Sequence, residues 1–124
     1  MEIKLKGILA DIESGSPDVE ASAVLTIDGL MLASGLPQQI HEDRISSMFA
    51  ALQSIGHRAG RELTYGGLEQ ILVGYEKGHA LLTRVGRDAL IAALLRSCDE
   101  IDHVMELMRH AADRIKETIR AHHP

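Results

Sequence analysis

The sequence predicts a three-layer α-β-α domain with three helices around one mixed or antiparallel sheet of five strands. Three observations predict it. Residues 68–95 read as three consecutive strands joined by short glycine-bearing turns, Glu76-Lys77-Gly78 and Gly86-Arg87-Asp88. The last strand, Ala89 to Leu95, has no polar side chain, so it needs cover on both faces. Three other stretches repeat apolar residues at steps of three and four, the spacing of a helix face.

In chain order, residues 2–13 form the first expected helix, with Leu5, Ile8, Leu9 and Ile12 on its apolar side. Ser14-Gly15-Ser16-Pro17-Asp18 stops it. A hairpin follows. Ala21, Ala23, Leu25 and Ile27 alternate with Ser22, Val24 and Thr26, then Asp28-Gly29 turns the chain into Leu30 to Ala33. Residues 41–63 form the middle helix, with Ile45, Met48, Phe49, Leu52, Ile55, Gly56, Ala59 and Leu63 as the expected buried stripe. Its other face carries Ser47, Ala50, Ala51 and Ser54, with the charges kept to the ends. Small uncharged residues there fit a second contact; they also fit a solvent face that uses Ala for its helix propensity.

After the three strands, Ser97 to Asp99 supply the start of a last helix running to about Ala121. Its expected stripe is Ile101, Val104, Met105, Met108, Ala111, Ala112, Ile115 and Ile119, and the tail His122-His123-Pro124 is expected to fray. The first strand of the meander, Leu68 to Tyr75, raises a separate matter. At a sheet margin its apolar residues and unpaired backbone form an adhesive edge, and a second copy of the chain is the expected occupant.

The totals bound the function. At 124 residues this is one domain, able to bury roughly two thirds of its unfolded surface. A net charge of -5 and only three aromatics argue against nucleic-acid binding. The single cysteine, Cys98, allows no internal disulfide and no thiol zinc cluster. No signal peptide or membrane span is apparent, so a cytoplasmic location is expected. The glycines at 56–60 and 66–67 match no nucleotide-binding loop. His103, Glu106 and His110 share a helix face that could hold a divalent ion, but a wet face opposite the core reads as surface histidines. Arg44, Arg58 and Arg61 could meet an acidic or phosphate-bearing partner. No acid-base pair or nucleophile emerges, and no cofactor is expected.

The ordered pattern resembles the Roadblock family. It lies in the hairpin Ala23-Val24-Leu25-Thr26-Ile27-Asp28-Gly29-Leu30-Met31-Leu32-Ala33-Ser34 and in Gly60-Arg61-Glu62-Leu63 before Leu68-Glu69-Gln70-Ile71-Leu72-Val73. Gly78-His79-Ala80-Leu81-Leu82-Thr83-Arg84-Val85-Gly86 and the terminal helix complete it, over about residues 3–120 of a single domain spanning 1–124. The resemblance implies an antiparallel sheet in the order 2-1-5-4-3, with the middle helix on one face and the terminal helices on the other. It implies a non-enzymatic homodimer joined through the third strands and the middle helices. The implied interface is Ser47, Ala50, Ala51, Ser54, Leu68, Gln70, Ile71, Leu72, Val73 and Tyr75. It implies a Ras-like small GTPase as partner, with Asp43, Arg44, His57, Arg58 and Arg61 as candidate contacts. A structural adaptor of the light-chain type is the alternative, and a small-ligand sensor a further one.

Overall fold

The computed structural model describes residues 1–122. The chain runs α1 (Glu2–Gly15), β1 (Val19–Thr26), β2 (Met31–Ser34), α2 (Glu42–Glu62), β3 (Gln70–Tyr75), β4 (Gly78–Val85), β5 (Ala89–Leu95) and α3 (Ile101–His122). The strands form one antiparallel sheet in the order β2-β1-β5-β4-β3. Element order and strand order both match expectation. The tail expected to fray is helical at His122, while His123 and Pro124 lie outside the described residues.

The all-apolar β5 is the middle strand, paired with β1 from Val19↔Leu95 to Thr26↔Ala89 and with β4 from His79↔Leu95 to Val85↔Ala89. Its side chains feed two cores. On one face Val24, Leu81, Ile91 and Leu95 pack beneath α1 and α3, which contribute Leu5, Leu9, Ile12, Val104, Met108 and Ile115. Each fully buried aliphatic of this set contributes roughly 1.5–3 kcal/mol. On the other face Leu25, Leu82, Leu90 and Ala92 are covered by α2, whose one large buried apolar side chain is Phe49. This second core is thinner, and it lies beneath the candidate site.

The last helix starts later than the Ser97 to Asp99 signal placed it, because its cap comes from across the fold. Asp18, just before β1, accepts the Glu100 backbone N–H at 2.8 Å and the Ser97 hydroxyl at 2.6 Å. The Ser97 bond first and the Glu100 bond second hold the Asp18 carboxyl below its ordinary range, against a smaller opposing effect of burial. A carboxylate at this end also meets the positive pole of α3.

Candidate functional site

The middle helix is rotated relative to the expected stripe. The residues of α2 that bury against the sheet are Ser46, Phe49, Ala50 and Gln53, with Ile45 and Leu52 partly buried beside them. Met48 is 54% exposed and Ile55 65%, and Ala59 and Leu63 are exposed as well. The cause is polar. Ser46 Oγ donates to the Gly29 carbonyl at 2.8 Å, and the Gln53 amide donates to the Ile27 carbonyl at 3.3 Å. Both acceptors belong to the β1–β2 turn, whose backbone needs partners beneath the helix. A pattern that treats Ser and Gln as solvent-facing turns the helix the wrong way.

This rotation redraws the outward face. Ser47, Ala51 and Ser54 are exposed, but Ala50 is only 7% exposed beneath the β1–β2 turn and cannot meet a second chain. In its place stand Met48 and Ile55. The outward line reads Ser47, Met48, Ala51, Ser54 and Ile55, with small residues between two large apolar ones. Sequence reasoning missed Met48 and Ile55 because the same spacing suits a core stripe. The seven-residue step between them, with Ala51 midway, was the available signal for a helix seam.

Beside this line runs β3, which pairs with β4 from Gln70↔Thr83 to Tyr75↔Gly78 and has no partner among the described residues on its outer side. None of its six residues is charged, so the usual blunting of an edge is missing. The opposite edge, β2, has only four residues. Ile71 and Val73 are half-buried on the α2 side, while Leu72 (43%) and Tyr75 are exposed. Gln70 faces the other way, its amide donating to Thr83 Oγ1 at 3.0 Å and the Met105 carbonyl at 3.2 Å. Its side chain is therefore spent within the chain, and only its backbone can serve a seam. Leu68 precedes the strand rather than belonging to it. Leu68 and Ile71 meet α2 at Gly56, where an added Cβ would lie 3.5 Å and 2.9 Å from their Cδ1 atoms, so glycine brings the helix close to the sheet margin.

The candidate contacts for a GTPase do not form one cluster. Asp43 and Arg44 open α2, whereas Arg58 and Arg61 lie near its end, roughly 21–27 Å away at 1.5 Å per residue. All four are exposed. His57 is half-buried and turned inward. Its Nδ1 accepts the Leu68 backbone N–H at 3.1 Å and meets Arg84 Nη1 at 2.5 Å. Burial first, then the charges of Arg84 and Arg61, push the imidazole below its ordinary pKa. As a surface contact His57 is thus corrected to an internal tie between α2 and the approach to β3.

On α3, His103 Nε2 lies 2.9 Å from the Gly15 carbonyl, and Glu106 binds Arg109 at 2.7 Å with His110 at 3.8 Å. Among the described residues no group of three or more His, Cys, Asp or Glu side chains is placed to hold a metal ion. No described helix is long and apolar enough to cross a membrane.

The strand order, the paired terminal helices on one face and the lone helix on the other agree with what known proteins show. The family profile of the Roadblock/LC7 domain matches residues 14–95. The chain belongs to the Roadblock/LC7 family. An uncharacterised protein of Methanocaldococcus jannaschii, MJ0714, is 30% identical over 79% of this chain and 82% of its own length. Among solved structures, Myxococcus xanthus MglB superposes with a TM-score of 0.87 at 12% identity, covering 96% of this chain and 90% of that one. A Roadblock/LC7 domain from Streptomyces avermitilis gives 0.83 at 17% identity, covering 92% and 96%. At these identities the superpositions establish the fold of this Roadblock/LC7 chain and nothing finer.

Proposed function

We propose that this Roadblock/LC7 chain acts as a homodimer that holds a Ras-like small GTPase and modulates its nucleotide cycle, with no catalytic residues of its own. One observation carries the reading. An uncharged, unpaired strand edge lies beside an outward helix line of Met48, Ala51 and Ile55. Placed against its twin about a two-fold axis, β3 pairs antiparallel with itself, and each α2 lies beside the other. Ser47, Ala51 and Ser54 allow close approach of the backbones, and Met48 and Ile55 leave water. Removing such half-exposed side chains from solvent contributes roughly 1 kcal/mol each, and symmetry doubles the set.

The partner comes from the family resemblance. Two paired α2 helices make a platform, with Asp43 and Arg44 at one end of each helix and Arg58 and Arg61 at the other. Any effect on hydrolysis then works by positioning groups that belong to the GTPase. The test is to add the purified dimer to small GTPases from the same cell and to measure binding, nucleotide exchange and hydrolysis. Binding with a changed rate in either step supports the proposal. Absence of binding and unchanged rates with every candidate refute it, and capture of filament or motor components in their place assigns the chain to an adaptor role.

A further inference from the structure

We propose that His57 is an acid-sensitive latch that holds the approach to β3 against α2 and so controls whether the β3 seam can form. The inference rests on the homodimer reading above. Its basis is the double use of one atom. Nδ1 of His57 accepts the Leu68 N–H at 3.1 Å and the Arg84 guanidinium at 2.5 Å. A ring nitrogen accepts only while it carries no hydrogen, so both contacts require a neutral imidazole protonated on Nε2. Protonation turns Nδ1 into a donor facing two donors and places a new cation between existing ones.

The surroundings offer no relief. From α2 itself, Arg61 stands one turn further on; from β4 comes Arg84, whose Nη2 is tied to the Arg87 carbonyl at 3.2 Å. Thr64, Gly66 and Gly67 complete the recess around the ring and bring no charge. Glu69 and Asp113 line a neighbouring recess with Leu68, Arg84 and Arg109, but among the described residues no carboxylate lies within 4.0 Å of the ring. Protonation is thus disfavoured while the latch is closed, in keeping with the lowered pKa of the ring. The latch contribution is complete above the unfolded histidine value of about 6.5 and is lost as pH falls through the lower folded value.

The mechanical consequence falls on the strand edge. Leu68 lies two residues before β3, and its side chain and that of Ile71 already rest on Gly56, next to His57. Opening the latch frees this segment from α2, the two elements that the seam needs in fixed relation. A dimer requires both protomers latched. If acid leaves about one protomer in three latched, the dissociation constant rises about tenfold.

The experiment measures dimer dissociation by analytical ultracentrifugation in steps from pH 7.5 to 4.5, for the wild-type chain and for His57→Asn, whose Oδ1 accepts without titrating. The expected result is a wild-type dimer that weakens progressively as pH falls below the ordinary histidine value of about 6.5, about tenfold once one protomer in three stays latched, and a variant that does not. Equal weakening in both, or in neither, overturns the latch. A wild-type chain that is monomeric at pH 7.5 overturns the homodimer reading, and the inference with it. The Leu68 amide resonance of the wild-type chain gives a check that needs no variant. It must move with the titration of the His57 ring, and a Leu68 signal indifferent to that titration also overturns the latch.

Discussion

Ser46 Oγ donates to the Gly29 carbonyl oxygen at 2.8 Å, joining the first turns of α2 to the β1–β2 turn. The bond lies on the sheet side of the helix, with Phe49 and Gln53 following on the same side, and it fixes which residues look outward. Met48 and Ile55 are exposed because Ser46 and Gln53 are not. Removing the hydroxyl by Ser46→Ala leaves a half-buried carbonyl without its partner and should lower stability by about 1 kcal/mol. Urea unfolding measures it, and an unchanged midpoint would mean that the rotation of α2 is set elsewhere.

Gly60 sits where α2 meets the loop that leads to β3. A Cβ added there would lie 2.6 Å from the Gly66 carbonyl oxygen, a backbone atom that cannot swing aside. Gly60→Ala should therefore destabilise by about 1–3 kcal/mol, although alanine is the better helix former. A rise in the melting temperature would show that propensity outweighs the clash.

Thr64 has a φ of 60°, a left-handed conformation that its branched side chain disfavours. It directly follows Leu63, the residue that caps the C-terminus of α2, and is a position where glycine is the usual residue. Thr64→Gly should raise stability by about 1 kcal/mol, the relieved strain exceeding the greater freedom of glycine in the unfolded chain. A loss of stability by chemical denaturation would contradict this account.

Asp18→Asn should lower the melting temperature at pH 7, since the carboxylate accepts from both Ser97 and Glu100. The folded pKa of Asp18 is depressed. Its contribution is therefore present above the unfolded carboxyl value of about 3.9 and is lost as pH falls through the folded value. The gap between wild-type and variant melting temperatures should close in that acid range. A gap independent of pH would show that the charge is not what the site uses.

Much of the fold can be read in the sequence because local pattern decides it. The unbroken apolar run of Ala89 to Leu95 marks the middle strand, Asp28-Gly29 marks the hairpin turn, and the stripe from Val104 to Ile119 marks the buried side of α3. What stayed hidden depends on distant partners. The cap of α3 is Asp18, 82 residues before the amide it accepts. The inward side of α2 is chosen by carbonyls in a turn 17 and 26 residues earlier. Periodicity could not anticipate either, because it counts Ser46 and Gln53 as polar and cannot see that their partners lie beneath the helix. The same blindness moved Ala50 to the wrong side and His57 to the surface.

Lysine at Ile71 or Val73 should block self-association, with like charges facing each other across a two-fold axis. Both side chains are half-buried, Ile71 against the core under α2, so these variants also weaken the monomer. Leu72→Lys places the charge on an exposed position of the same strand. It should abolish the dimer while changing monomer stability by only about 0.5 kcal/mol.

The most direct test is sedimentation equilibrium of the wild-type chain beside Met48→Lys/Ile55→Lys, with melting followed by circular dichroism. The account predicts a wild-type particle of twice the chain mass, and a variant of single-chain mass whose fold is intact, since both replaced side chains face solvent in the lone chain. A wild-type chain that sediments singly, or a doubly charged variant that still pairs, would contradict it.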